Sequence, residues 1–371
     1  MNATQVLREF SIMRHKQFDM LIFFVTGRCN SRCRHCFYWR NQNPAHGGLS
    51  LESIERLARS MPSFRTLLLS GGEPTLRSDL PQLVEVFRRT NHIQSASVPT
   101  NGLQPERITK IARTMAELAS SLLVTFNVSI DGFSDTHDRI RGVTGGFSLT
   151  IETLQKLHQV VEQYDNFRVL VNTVICAENY DQVVQLGEYI KSTGWADGHF
   201  FEIVRGDPPE AGIKAVPPEE LREIYRNLVP IQEDYLVREA RRRRRGLAGT
   251  WRQIADVGNL VNRYRYQGAV YSAGRKWDFP CLAGQSISVV DYDGRMRICE
   301  LREESVDLAD YGYDFSAARD SVTIQREIAI ARTHVCDCTH TCFLGLSMRQ
   351  DFVARFLSAP WLYLLYKIGK F

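Results

Sequence analysis

The feature that most constrains this chain is an alternation running from about residue 18 to 205. Apolar, β-branched runs of strand length (MLIFFVT, TLLLS, SASVP, LLVTFNVSI, FRVLVNTVI and HFFEIV) are separated by stretches with helical spacing. In LSLESIERLARSM, Leu51, Ile54, Leu57 and Ala58 share one helical face, and Ser50 precedes them as a residue type suited to cap the helix start. DLPQLVEVFRR, PERITKIARTMAELA, LTIETLQKLHQVVEQ and NYDQVVQLGEYIKS follow the same rule. Units of this kind predict an α/β fold, with a parallel sheet, helices outside it and right-handed crossovers that curl it into a full or partial barrel. Ligands of such sheets sit at the carboxyl ends of the strands. Cys29, Gly71, Asn101 and Asp131 each follow a predicted strand, so they converge on one rim although they lie far apart in sequence.

Size and charge narrow the class. A chain of 371 residues with 44% hydrophobic residues suits one large domain plus an appendage. The net charge of +4, from 46 basic and 42 acidic residues, points to no nucleic-acid partner. The stretch MNATQVLREFSIMRHKQ lacks the apolar core of a secretory signal, so a cytoplasmic location is expected. No run of about 18 uncharged apolar residues predicts a transmembrane helix. The expected organisation is an N-terminal segment at 1–17 and the barrel at 18–205. A linker and helical insertion follow at 206–275, then a cysteine-rich unit at 276–345 and an apolar helix at 346–371. Arg241–Arg245 reads as a solvated helix end or a phosphate-binding patch. The closing DFVARFLSAPWLYLLYKIGKF, with Lys367 and Lys370, either docks on the core, lies in a membrane interface or touches an apolar substrate.

Nine cysteines are many for a reducing compartment, and a disulfide framework does not suit a large cytoplasmic chain. Eight fall in two groups, Cys29, Cys33 and Cys36, then Cys281, Cys299, Cys336, Cys338 and Cys342, which favours metal ligation. Cys176 stands apart and reads as a small buried hydrophobe at a strand end. Structural zinc sites pair a C-x2-C with a second pair. Here the first group is C-x3-C-x2-C, and no fourth ligand is near. Three thiolates hold three irons of a [4Fe–4S] cube and leave one iron open to an external ligand, an arrangement that catalysis needs and a structural site avoids. His35, between Cys33 and Cys36, is expected to point away from the metal.

CNSRCRHC resembles the cysteine loop of radical S-adenosylmethionine (radical SAM) enzymes, with His35 where that family commonly has an aromatic residue, and Phe37 and Tyr38 just after. LLLSGGEPTLR, after the second predicted strand, is similar to the family's GGEP motif and supplies Gly71, Gly72, Glu73 and Pro74. The resemblance implies a partial (β/α)6 barrel, a catalytic, site-differentiated [4Fe–4S] cluster on Cys29, Cys33 and Cys36, and SAM with its amino group at the GGEP segment. Thr100 and Asn101 after strand three, and Ser129 and Asp131 after strand four, carry groups suited to the ribose hydroxyls and carboxylate of SAM. The run SIDG…HDRIRG looks like family members with extra clusters and nominates Arg141 for the SAM carboxylate. His137 and Asp138 read as structural, whereas Asn172 and Arg205 are further candidates on the same rim.

In the second group, SISVVDYDGRMRI reads as a hairpin with its turn at Asp293-Gly294, which would draw Cys281 and Cys299 together. This resembles the opening of SPASM and twitch extensions of radical SAM enzymes, including a glycine in G-x4-C spacing at Gly294. CDCTHTC adds Cys336, Cys338 and Cys342. Five cysteines are too few for two fully thiolate-bound cubes, so one auxiliary [4Fe–4S] cluster with one cysteine spare is expected. A structural zinc site involving His334 and His340 is the other reading. The resemblance implies reductive cleavage of SAM to a 5′-deoxyadenosyl radical that abstracts hydrogen from substrate. A peptide or protein side chain comes first as substrate, and a small molecule, sugar or lipid-like metabolite second. A low-potential donor, ferredoxin or flavodoxin, is the implied partner, and peripheral membrane contact is allowed. A non-catalytic iron–sulfur electron-transfer protein would need clusters but no SAM pocket. No individual catalytic side chain is identified.

Overall fold

The computed structural model describes residues 18–45, 47–243, 247–333 and 338–371. Residues 1–17, His334 and Cys336 lie outside the described residues, as do the side chains of the Arg241–Arg245 run.

Six strands carry the anticipated alternation: β1 (Met20–Thr26), β2 (Thr66–Gly71), β3 (Ser95–Thr100), β4 (Leu123–Ser129), β5 (Phe167–Ile175) and β6 (Gly198–Ile203). They pair parallel in sequence order, and β1 does not meet β6, so the barrel is partial. Between them run α1 (Leu51–Ser60), α2 (Leu80–Asn91), α3 (Pro105–Glu117), α4 (Ser134–Arg141), α5 (Gly146–Val161) and α6 (Val183–Thr193). Ser50 caps α1 as expected, its hydroxyl accepting from Ser53 N at 3.2 Å.

Side-chain alternation sorts each strand. On β4, Val124, Phe126 and Val128 are fully buried in the apolar layer shared with the outer helices, whereas Thr125 and Ser129 line cavities inside the barrel. β1 is buried along its whole length. Its Leu21, Phe23 and Val25 join the helix-side core, and its Met20, Ile22 and Phe24 join a second apolar cluster built with the later part of the chain.

That second cluster is reached through strands the alternation did not place. The expected hairpin forms from β7 (Ile287–Val290) and β8 (Arg295–Arg297), with Gly294 at φ 94° in the turn. β7 also zips parallel onto the other edge of β1, Met20 opposite Ile287, and β9 (Val306–Asp307) completes a nine-stranded sheet. The 276–345 stretch therefore continues the barrel sheet. The physical reason is that Ile287–Val290 is buried on both faces and satisfies the backbone edge that β1 would otherwise leave open.

Two long helices, α7 (Pro218–Arg243) and α8 (Leu247–Ala273), follow β6. Gln232 on α7 donates to the His199 carbonyl of β6 at 2.7 Å, covering that edge. The remaining helices are α9 (Phe315–Arg319), α10 (Val322–Arg332), α11 (Thr341–Gln350) and α12 (Ala359–Lys367), with a π-helical turn at Ala354–Ser358. Among the described residues no helix is long and apolar enough to cross a membrane.

Candidate functional site

The carboxyl ends of β1 to β6 surround a cavity of about 190 Å³. It is lined by Cys29, Cys33 and Cys36, by Gly71, Gly72 and Glu73, by Thr100, Asn101 and Ser129, and by Arg141, Asn172 and Arg205. Residues from six separate strand ends thus meet where the sequence placed their rim.

The cysteine loop is held by its neighbours. Arg32 N and Arg34 N donate to the carbonyls of Arg141 and Ile140 at 3.1 and 2.9 Å, strapping the loop to the end of α4. Gly142 permits this: its φ is +67°, and a Cβ there would stand 2.7 Å from the Arg32 carbonyl oxygen. On the other side Gly72 N and Glu73 N donate to the carbonyls of Thr26 and Arg28, both at 2.8 Å. A Cβ at Gly71 or Gly72 would lie 2.2 Å from those same carbonyl oxygens. The two glycines therefore allow backbone to approach backbone.

Donors reach the thiols. Gln42 Nε2 lies 3.4 Å from Cys36 Sγ, and Arg141 Nη1 lies 3.7 Å from Cys33 Sγ. Burial pushes the Cys29 thiol up to about 11 and Cys36 to about 12. It also raises Cys33, against which the Arg141 guanidinium acts. A metal bound here would displace the thiol protons, and nearby cations and N–H donors would ease that step. Among the described residues no three His, Cys, Asp or Glu side chains are arranged to hold a single metal ion. Thiolates bound to different corners of a cube sit wider apart than the ligands of one ion.

Three expectations are corrected. Asp131 does not line the cavity. Its fully buried carboxylate pairs with Arg141 Nε at 2.6 Å and His35 Nε2 at 2.8 Å, and accepts from Val174 N at 2.8 Å. Burial alone would raise it, but Arg141 and His35 hold it well below the usual carboxylate range. His35 accordingly turns toward Asp131 on the cavity wall. Glu73 faces the cavity yet is a brace: Oε1 accepts from Thr75 Oγ1 at 2.6 Å and Oε2 from Asn101 N at 2.7 Å, tying the GGEP turn to the end of β3. Pro74 starts the buried turn Pro74–Leu76 and is not among the lining residues. Asn101 in turn donates to Asn30 Oδ1 at 2.7 Å and to Ser31 Oγ at 3.1 Å, inside the cysteine loop.

Glu202 was missed. It lies on the inner face of β6 and lines the cavity. The signal was present, a lone acid in HFFEIV. Glu202 pairs with Arg205, whose guanidinium also stands 3.6 Å from Glu300 Oε2 and 5.0 Å from the Phe37 ring centroid. Glu300 bonds His340 Nε2; His340 Nδ1 accepts from Cys342 N at 3.3 Å, so Nε2 carries the proton it gives to Glu300. Burial would raise Glu300, but His340 and Arg205 bring it down to about 2.

This chain of charges leads into the second cysteine group. Cys281, Cys299, Cys338 and Cys342 border the same apolar cluster as Cys36 and Phe37 of the first loop, around Ile22, Phe24 and Phe343. Leu301 N lies 3.5 Å from Cys299 Sγ and His340 N 3.3 Å from Cys338 Sγ. Burial, with Glu202 and Glu300 near, pushes the Cys342 thiol up to about 12. Cys176, fully buried beyond the end of β5, belongs to a different apolar cluster.

Residues 23–190 match the Radical SAM superfamily. The chain is 32% identical over 142 residues to the Fe-coproporphyrin III synthase of Methanosarcina barkeri, a stretch covering 38% of this chain and 34% of that enzyme. It is 25% identical over 292 residues to a probable GTP 3',8-cyclase of Methanococcus maripaludis, covering 77% and 86% respectively. In fold it resembles native anSMEcpe with bound AdoMet and Cp18Cys peptide, with a TM-score of 0.57 at 17% identity over 95% of this chain and 96% of that one. Residues 23–190, a little under half of the chain, thus form a radical SAM domain, and the partial barrel that carries it shares its fold with native anSMEcpe.

Proposed function

We propose that the cavity binds a [4Fe–4S] cluster and SAM, which together supply a 5′-deoxyadenosyl radical able to take hydrogen from a substrate. The observation that carries this is the meeting of three thiols, the GGEP turn and the polar ends of β3 and β4 around one cavity. Cys29, Cys33 and Cys36 are the proposed cluster ligands, with Arg141 favouring the thiolate of Cys33. Gly71 and Gly72 present backbone carbonyls to the amino group of SAM, and Thr100, Asn101 and Ser129 offer hydroxyl and amide groups. Arg141 supplies a cation for the carboxylate, and Asp131 holds Arg141 and His35 in place.

The Glu202–Arg205 end of the cavity is the proposed substrate end, since these charges are not needed by the SAM-binding set. A peptide or protein side chain is the first substrate class, supported by the fold shared with peptide-bound anSMEcpe. A small-molecule substrate is the second, favoured by the match along 86% of a probable GTP 3',8-cyclase. One auxiliary [4Fe–4S] cluster is proposed on four of Cys281, Cys299, Cys336, Cys338 and Cys342, with Cys281 and Cys299 as the firmest ligands and one cysteine spare. Ferredoxin or flavodoxin is the proposed electron donor.

Anaerobic reconstitution tests this. With SAM and a strong reductant the protein should release 5′-deoxyadenosine, and a variant with Cys29, Cys33 and Cys36 all changed to Ala should not. About eight irons per chain support two cubes, and about four remove the auxiliary cluster. SAM left intact by fully iron-loaded protein would refute the proposal.

A further inference from the structure

The segment from Phe352 to Phe371 docks on the protein through one set of residues, small ones together with Leu362, Leu365 and Tyr366, and turns a second set of large apolar residues outward. Ala354 and Ala359 are buried, with Leu362, in the apolar layers beneath. At Gly258 of α8 an added Cβ would lie 1.9 Å from the Ala359 carbonyl oxygen, so α8 and α12 touch backbone to backbone. This contact fixes the rotation of α12, because no larger side chain fits between the two helices. Leu357, Trp361, Leu364 and Ile368 recur at helical spacing on the opposite face and are 54 to 61% exposed. Phe352 and Phe356, with ring centroids 5.1 Å apart, extend the stripe at 40% exposure. A helix that serves only the core buries its large apolar face, and a contiguous outward patch marks an interaction site.

Charge selects the partner. From Phe352 to Phe371 there is no Asp or Glu, whereas Arg355, Lys367 and Lys370 are basic. Lys367 meets Glu233 of α7 at 2.6 Å and lies over the rings of Tyr363 and Tyr366 at 5.6 and 5.0 Å. Arg355 lies over Phe356 at 5.0 Å. Glu233 already holds Lys367, so the basic charge that flanks the stripe is that of the exposed Arg355 and Lys370, with the Arg355 guanidinium along an aromatic ring as long basic side chains lie when they reach a headgroup layer. A second copy of the chain would bring like charges together along the seam. An anionic lipid surface offers opposite charge, hydrocarbon for Leu357, Leu364 and Ile368, and an interfacial layer for Trp361. We infer that this face seats the protein on an anionic lipid surface, with α12 lying in the plane of the headgroups.

The test is co-sedimentation of the full chain with vesicles of phosphatidylcholine alone or with about 30% phosphatidylglycerol, alongside light scattering of the free protein. The wild type should pellet at least tenfold better with the anionic vesicles and release as salt rises. Trp361→Glu with Leu364→Glu should lose that partition at least tenfold at an unchanged unfolding midpoint, since both side chains are exposed. Leu357→Gln with Ile368→Gln is a milder pair for the same reading. Arg355→Gln with Lys370→Gln should weaken binding several-fold. Three results would each overturn the inference: wild type left in the supernatant, variants that pellet like wild type, or a free wild-type dimer that these variants convert to monomer.

Discussion

The Asp131 carboxylate serves three neighbours at once, the guanidinium of Arg141, the ring of His35 and the amide of Val174. Replacing it by Asn keeps the shape but leaves Arg141 buried without a counter-charge, which should cost about 3–5 kcal/mol in a urea unfolding curve. A wild-type midpoint for Asp131→Asn would refute that role. Two other buried rings set a pH dependence. Burial, then Arg141, brings His137 down to about 4, and burial brings His199 down to about 3. Each is tied as a neutral ring. His137 Nδ1 accepts from Asp131 N at 3.2 Å. His199 Nε2 gives its proton to Thr173 Oγ1 at 2.8 Å, because that hydroxyl already donates to the Ile130 carbonyl. Below about pH 6.5 the unfolded chain binds protons that these folded rings refuse. Stability should therefore be full above that point and fall with pH by up to about 1.4 kcal/mol per unit per histidine, levelling near pH 4 for His137 and pH 3 for His199. Equal denaturant midpoints at pH 7 and pH 5 would contradict the burial of both rings. Sequence spacing could nominate Asp131 without revealing what it holds, since a carboxylate at a strand end looks the same whether it faces a ligand or an arginine brought in by the next helix.

At the scale of elements, the cavity rim is a set of crossing backbones. The cysteine loop lies between the GGEP turn and the end of α4, and glycines mark both crossings. Gly72→Ala should force the turn away from the Arg28 carbonyl and cost more than about 2 kcal/mol. Its reconstituted iron should fall to the level of the Cys29, Cys33 and Cys36 triple variant while far-ultraviolet circular dichroism stays near wild type. Full iron loading would sink that expectation. The strands were legible because each is a short apolar run between turn signals, and β1 and β5 have the boundaries read from MLIFFVT and FRVLVNTVI. α8 was not read as a separate helix, since the 206–275 stretch was treated as one linker and insertion around its charged first half. The pairing of β7 with β1 was not legible either. A ladder partner is chosen by which edge remains open after folding, and nothing local in ISVV names it. The Glu202–Arg205–Glu300–His340 chain was hidden for the same reason, its members coming from three distant segments.

For the whole molecule, β1 is the element common to both cysteine groups. Its carboxyl end carries the first loop, while Met20, Ile22 and Phe24 pack into the cluster bordered by Cys281, Cys299, Cys338 and Cys342. A chain ending after residue 275 would strip β7 from β1 and bare Ile22 and Phe24, both fully buried in the intact protein. Such a chain should elute from a sizing column as aggregates, because an exposed apolar strand edge templates further pairing. A well-behaved monomer would count against that dependence. A domain boundary drawn at 276 on composition therefore crosses a hydrogen-bonded ladder. β1 acts as a party wall: the cysteine-rich half is not a detachable cassette, and moving it to another barrel means moving the wall with it.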